Sequence, residues 1–521
     1  MMIIEGTLKL LFVNIFIIFT TFFYIFLFSK YKLFSEIFKI LRKRKRFFFV
    51  IFLLMLLLSF LNGWHTHIPY DEQEQIANSI SIFKHFFITK AILPRPVVFS
   101  VFLSFFNTDS YFFSHILGRI ISFASTFLSA VLLFLLYRKL GLNKWFSGAF
   151  VLLYSIAPYN LFYLTINKPE AFAVFFIFFF IYLFYDYAFE NKKENISMLY
   201  LLALFLPLIR FELVVLSLSF LMFLLVKFRR KHLFLILYSI SLLLILLGSF
   251  AIFSGVNSMI SLEEFSFSFS KIPSSFVIKM LMSPWLLFFF LFFMFIYKSI
   301  EKSLGIKQKW FFTILFFSFI LLLLLYSLYN FSYVERYQKL LYPFLFLGLL
   351  SIKFFEKAIK QKKAFCILTW IFIILFAIFF SFSDYHLLRN FKLSADILSD
   401  TAIDDIQKNA VCFNNSLIYG PLSFLEPLSD NLNIVIYGLR MTSSEVVFRE
   451  QKKMSEKHVD HYLYLVEMFS ESYNLLPASI PNEFSGENLN KISQLCPNLK
   501  EETKRYLLYL DKPLSQYLDD D

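Results

Sequence analysis

The chain has 521 residues, of which 58% are apolar, 21% aromatic and only 17% charged, with a mean hydropathy of +0.67; ordinary soluble domains carry about 25% charged residues. That balance excludes a single soluble core and argues against a disordered chain, a coiled coil or a nucleic-acid binder. The net charge of +13 is divided unevenly, with 37 Lys+Arg against 16 Asp+Glu in residues 1–382 and 13 against 21 in residues 383–521. A basic apolar body therefore carries an acidic tail, and the basic pI of about 9.3 reads as the loop charge of a membrane protein, with no nucleic-acid partner. The 77 phenylalanines read as codon bias, with no special chemistry assigned to them.

In chain order the apolar segments are 8–29, 47–62, 112–137, 147–164, 170–187, 198–209, 211–226, 233–254, 276–297, 310–329, 340–353 and 364–382, twelve crossings in all. Several fall short of the ~20 residues that an upright transmembrane helix needs. Segments 198–209 and 211–226 fit a re-entrant pair or one long helix interrupted near Pro207 and Arg210. Alternate short loops (30–46, 138–146, 188–197, 227–232, 298–309 and 353–363) hold 26 basic residues, and the opposite set holds 8. The positive-inside bias makes the first set cytoplasmic. The amino terminus, the loop 63–111 and the tail 383–521 then lie outside, on an integral multi-pass protein of a bacterial inner or plasma membrane. Segment 8–29 reads as a retained helix, because its leader has no basic residue and the run Arg42–Arg46 follows it like a stop signal.

Two outside regions are large. In 63–111, Ile76, Ile80, Phe83 and Phe87 recur at helical spacing, flanked by Gln75, Ser79 and Lys84, which suits a helix in the interface plane. In 383–521 short apolar runs such as Ile434–Tyr437 and Tyr462–Val466 are separated by turn residues, as in a soluble mixed α/β domain. Cys412 and Cys496 share that tail and could pair in an oxidising compartment. The expected fold class is thus mostly α, a polytopic membrane protein of about twelve transmembrane helices over 1–382, followed by an extracytoplasmic α/β domain over 383–521.

Ionisable residues near membrane depth cost roughly 2.5–3.5 kcal/mol each on insertion scales and suggest function where they gather. Here they gather at the outer ends of the spans: Asp71 and Glu72, Arg95, Arg119, Lys168 and Glu170, Arg210 and Glu212, and Glu335, Arg336, Tyr337 and Lys339. Guanidinium groups bind phosphate bidentately and a lone carboxylate takes a hydroxyl proton, so the set suits phosphate recognition beside an acid/base group. Each has a plainer reading. Interfacial arginines snorkel to headgroups, Lys168 and Lys339 can be anchors, and Glu212 can simply pair with Arg210. His65 and His67, in the spacing H-x-H-x3-D-E, form a weak metal-ligand pattern.

Tyr70-Asp71-Glu72, Leu93-Pro94-Arg95-Pro96 and Ser114–Ser122 before a long apolar run, then Pro158-Tyr159-Asn160, Pro169-Glu170, Leu206–Arg210 and Glu335-Arg336-Tyr337 with Leu341-Tyr342-Pro343, resemble the GT-C glycosyltransferase superfamily. The likeness is to the branch of protein O-mannosyltransferases and the lipid A aminoarabinose transferase, and it spans roughly 47–382. The resemblance implies transfer of a sugar from a polyprenyl-phosphate carrier to a lipid, glycan or protein acceptor on the non-cytoplasmic face. It implies Asp71 as catalytic base with Glu72 beside it, Glu170 as a second acid of the cavity, and Arg336, Tyr337, Arg210 and Arg95 around the carrier phosphate; Arg119, Lys168 and Lys339 complete the candidate set. No cofactor is required by this scheme, although a divalent cation could take part. Segment 8–29 departs from the family, which usually enters its first outer loop after one span. A transporter or flippase, and a polymerase or ligase acting on lipid-linked sugars, are the alternatives, together with a non-catalytic assembly protein.

Overall fold

The computed structural model describes residues 2–29, 34–61, 98–106, 111–157, 169–192, 195–227, 285–301, 306–328, 338–351, 408–420, 433–436, 458–465, 486–505 and 507–513, with short pieces elsewhere. These residues are mostly helical. The chain divides into two compact units, one of Met1–Trp64, Pro94–Phe99 and Arg119–Tyr385, the other of His65–Leu93, Ser100–Gly118 and His386–Asp521.

The helices begin with α1 (Met2–Ser29), α2 (Ser35–Lys43), α3 (Lys45–Leu61), α4 (Val98–Ser104), α5 (Tyr111–Lys139) and α6 (Lys144–Ile156). They continue with α7 (Pro169–Phe189), α8 (Asn195–Ile209), α9 (Val214–Lys227), α10 (Trp285–Glu301), α11 (Ile306–Leu328) and α12 (Gln338–Gly348). Among the described residues three helical stretches are long and apolar enough to cross a membrane: Phe113–Lys139, Pro169–Phe189 and Ile306–Leu325. Shorter apolar helices cover Val13–Leu27, Lys144–Ile156, Asn195–Ile209, Phe211–Leu224 and Lys339–Ser351. The expected segment 364–382 lies outside the described residues, as does most of 233–254.

Helix α7 is apolar on every side, and 20 of its 21 residues are buried; a helix without a polar face belongs at the centre of a bundle. Helices α8, α11 and α12 pack against it. The phenylalanines interlock edge to face around it, Phe180 on Phe220 at 5.5 Å between centroids and Phe176 on Phe205 at 5.4 Å, an arrangement that aligns ring edges with ring faces.

Local chemistry sets the helix ends. After α5, Gly141 takes φ +86°, the Leu142 N–H donates to the Tyr137 carbonyl (2.9 Å) and the Gly141 N–H to the Arg138 carbonyl (3.1 Å). That pattern is a Schellman cap, which needs a left-handed residue best supplied by glycine. Asn143 then starts α6 by accepting hydrogen bonds from the N–H groups of Trp145 and Phe146, both at 3.0 Å. Helix α6 stops at Ile156, short of the expected boundary at 164. Ala157 is extended (φ −60°, ψ 137°) because it precedes Pro158, and a proline pushes its predecessor out of the helical region.

The 198–226 region consists of two helices packed on one another, α8 and α9. They are broken at Arg210, which is extended (φ −150°, ψ 126°) before the short 3-10 turn Phe211–Leu213. The break does not fall at Pro207, which sits inside α8. Proline lacks the N–H that would have bonded the Ala203 carbonyl, and the Ser217 hydroxyl of α9 donates to that carbonyl instead. Farther on, Gly348 of α12 meets α10 so closely that a Cβ there would lie 2.7 Å from the Phe292 backbone nitrogen, and only glycine permits that approach.

In the second unit, strands β1 (Ser416–Gly420), β2 (Asn433–Ile436), β3 (His461–Leu465) and β4 (Leu507–Leu510) form one sheet in the order β2-β1-β3-β4. β1 pairs parallel with β2 and β3, and β3 pairs antiparallel with β4. Helices α13 (Gly486–Leu495) and α14 (Glu501–Lys504) accompany it. Asn488 of α13 accepts from the Tyr509 N–H (2.7 Å) and donates to the Leu507 carbonyl (3.0 Å), covering the free edge of β4. Cys412 and Cys496 are joined by a disulfide, with their Cα atoms 5.5 Å apart. Of the apolar stripe expected in 63–111, Ile80 is buried but Phe83 is 48% exposed and Ser79 is buried. Around lipid an exposed phenyl ring carries no penalty, so exposure there need not follow polarity.

Candidate functional site

Helix α7 carries charge at its two ends only. At its start Pro169 occupies the first turn, where its missing N–H is harmless, and Glu170 follows, a placement that the positive end of the helix dipole favours. Glu170 is 2% exposed. Arg210, at the break between α8 and α9, points one guanidinium nitrogen at Glu170 Oε1 (3.3 Å) and the other at Glu212 Oε1 (2.9 Å). Lys339, in the first turn of α12, is fully buried and within charge-interaction range of Glu170. Two basic and two acidic side chains from three separate segments thus meet at one largely buried place. A buried charge is tolerated only when matched in this way.

Of the residues singled out in the sequence, the structure brings together Glu170, Arg210 and Lys339, with Glu212 paired to Arg210. Arg119 is buried (2% exposed) on α5. Asp71, Glu72, Arg95, Lys168, Arg336, Tyr337, His65 and His67 lie outside the described residues.

The other end of α7 holds a network that the sequence reading did not single out. Lys139, the last residue of α5, contacts Asp186, Glu190 (2.8 Å) and Glu36 (3.2 Å). Lys192 bridges the same three carboxylates: Asp186 at 2.7 Å, Glu36 at 2.8 Å and Glu190 at 2.9 Å. The Tyr182 hydroxyl donates to Glu36, and the Lys139 ammonium lies 4.8 Å over the Tyr182 ring. Burial would raise the Glu36 carboxyl, but the Lys192 and Tyr182 hydrogen bonds and the Lys139 charge overcome it and hold the group at about 2. By the same opposition of burial and hydrogen bonds, Glu190 is lowered and Lys192 is raised. Nearby, Lys307 donates to Asn191 (2.8 Å) and Lys353 to the Leu140 carbonyl (2.9 Å). A usable signal was present in the sequence: Asp186 sits near the end of the apolar segment 170–187 and four residues before Glu190, a spacing that brings two carboxylates to one side of a helix end.

The carboxylates of Glu36, Asp186 and Glu190 present oxygens within 4.8 Å of one another. Two lysine ammonium groups already fill that space, so the trio gives no argument for a cation. Glu170 and Asp186 lie about 24 Å apart along α7, from the ~1.5 Å rise per helical residue, comparable with the ~30 Å hydrocarbon core of a bilayer.

The sequence matches no protein-family model, and comparison with characterised proteins finds no match either.

Proposed function

We propose that the chain is an integral-membrane glycosyltransferase that takes a sugar from a polyprenyl-phosphate donor and passes it to an acceptor hydroxyl at the non-cytoplasmic face. The observation that carries this reading is the quartet of Glu170, Arg210, Glu212 and Lys339, where three of the candidate residues, far apart in sequence, share one buried place at one end of the central helix. Cationic donors beside carboxylates are what departure of a lipid phosphate requires. The sidedness rests on charge and redox chemistry. The network at the other end of α7 ties together residues from 30–46, 138–146 and 188–197, loops assigned to the cytoplasm by their basic content. A disulfide in the tail suits an oxidising compartment outside.

In this mechanism Asp71 removes the proton from the acceptor hydroxyl as its oxygen bonds to the anomeric carbon, with Glu72 beside it. The bond from that carbon to the carrier phosphate breaks, and the phosphate leaves with its electron pair toward Arg210 and Arg336, with Tyr337 and Arg95 around it. Lys339 and Glu212 hold Arg210 and Glu170 in register. The tail 383–521 is a soluble domain in this scheme, and about twelve helices span the membrane.

The test is transfer of radiolabelled sugar from a polyprenyl-phosphate donor by the purified full chain in lipid nanodiscs. A positioned base contributes roughly 10²–10⁴ in rate, so Asp71→Asn should lose that much while the protein stays folded. Arg210→Gln should also lose transfer. Full activity in Asp71→Asn removes the mechanism, and movement of the donor across the bilayer without transfer favours a flippase.

A further inference from the structure

The segment from α2 into α3 carries Lys39, Arg42, Lys43, Arg44, Lys45 and Arg46, all exposed. Among the described residues none of the six forms an ion pair. The one acid between residues 34 and 61 is Glu36, and it is turned into the network with Lys139, Lys192 and Tyr182. Its neighbours Asp186 and Glu190 are matched by the same two lysines. Among the described residues, the six cations therefore face outward with no acid to offset them.

What adjoins them is apolar. Ile37 and Phe48, each 1% exposed, fix the two helices to the bundle, and Phe48 meets Phe134 at 5.5 Å. On the outer side Phe49, Val50, Leu53 and Leu57 are 59%, 60%, 44% and 56% exposed. Arg46 stands four residues before Val50, so the end of this stripe is a cation. The start of α6 lies alongside, since Phe47 comes within 3.4 Å of the Cβ position of Gly148. It adds the exposed Lys144 and Trp145, the latter 66% exposed.

We propose that this surface, residues 39–46 with Lys144 and Trp145, binds anionic phospholipid headgroups. A band of cations ending an exposed apolar helix face matches negative phosphates above acyl chains, and a tryptophan at that level is a common interface anchor. Nucleic acid would satisfy the cations but would leave Phe49 and Val50 uncovered.

The experiment is native mass spectrometry of the full chain in a neutral maltoside detergent with added phosphatidylglycerol or phosphatidylcholine. The wild type should retain phosphatidylglycerol preferentially, and the preference should vanish in about 1 M salt, where screening acts within ~3 Å. Each juxtamembrane basic residue is worth about fivefold in affinity for an anionic surface, so Arg42→Gln, Arg44→Gln and Arg46→Gln together should weaken retention roughly 100-fold. Phosphatidylcholine should be unaffected. The charge-matched set Lys491→Gln, Lys500→Gln and Lys512→Gln should leave phosphatidylglycerol binding intact. Equal retention of both lipids by the wild type, a preference indifferent to salt, or equal loss in both triple variants overturns the proposal. So does tighter retention of a single-stranded oligonucleotide than of phosphatidylglycerol. The salt arm needs no substitution, so it reads out even if a variant fails to fold.

Discussion

Lys192 and Glu36 show how two half-exposed groups can still be held to their charged forms. Glu36 sits at about 2 against an ordinary 4.5, so its contribution to stability is complete above that ordinary value and is lost as pH falls through 2. Lys192 is raised above 10.5, so its contribution is complete below that value and disappears only at higher pH. The Glu36 and Lys192 contributions should therefore stay constant between about pH 5 and 10. Thermal unfolding of wild type against Lys192→Met in detergent should show a constant difference across that window and a shrinking one below about pH 4. A difference that grows on acidification would contradict the assignment. In sequence these partners are ordinary loop charges. Glu36 and Lys192 stand far apart along the chain, and nothing local marks them as a pair.

Among elements, the α8–α9 hairpin is held by a substitution of donors. Pro207 leaves the Ala203 carbonyl without its helical partner, and Ser217 supplies one from the next helix. Ser217→Ala should destabilise the protein by about 1–3 kcal/mol, the cost of an unsatisfied buried acceptor. In a Pro207→Ala background the same change should cost much less, because residue 207 then offers its own N–H. Unfolding midpoints of the four members of this cycle in detergent measure the coupling, and additive effects would refute it. The apolar lengths of α5, α7 and α11 were legible as spans, and the Pro158 boundary follows from a local steric rule. The break at Arg210 was only half legible: two candidates stood three residues apart, and packing of α9 on α8 decided between them.

At the scale of the whole chain, the second unit is stapled by a disulfide. The disulfide closes a loop with a separation of 84 residues, and such a closure stabilises by about 4 kcal/mol in the chain-entropy account. Cys412→Ser, or a reductant, should lower the midpoint for loss of strand signal in the second unit and leave the helical signal of the bundle in place. An unchanged midpoint would mean that the bridge does not form in the native protein.

Length, hydropathy and the positions of lysine and arginine determine by themselves that this is a helical chain with membrane-length apolar segments and most of its charge between them, because those are properties of short stretches. Pairing is different. That Arg210 lies between Glu170 and Glu212, and that Lys139 and Lys192 share three carboxylates, required helices distant in sequence to pack at one register. A buried charge takes whatever partner that packing brings within a few ångströms, which only the tertiary structure decides.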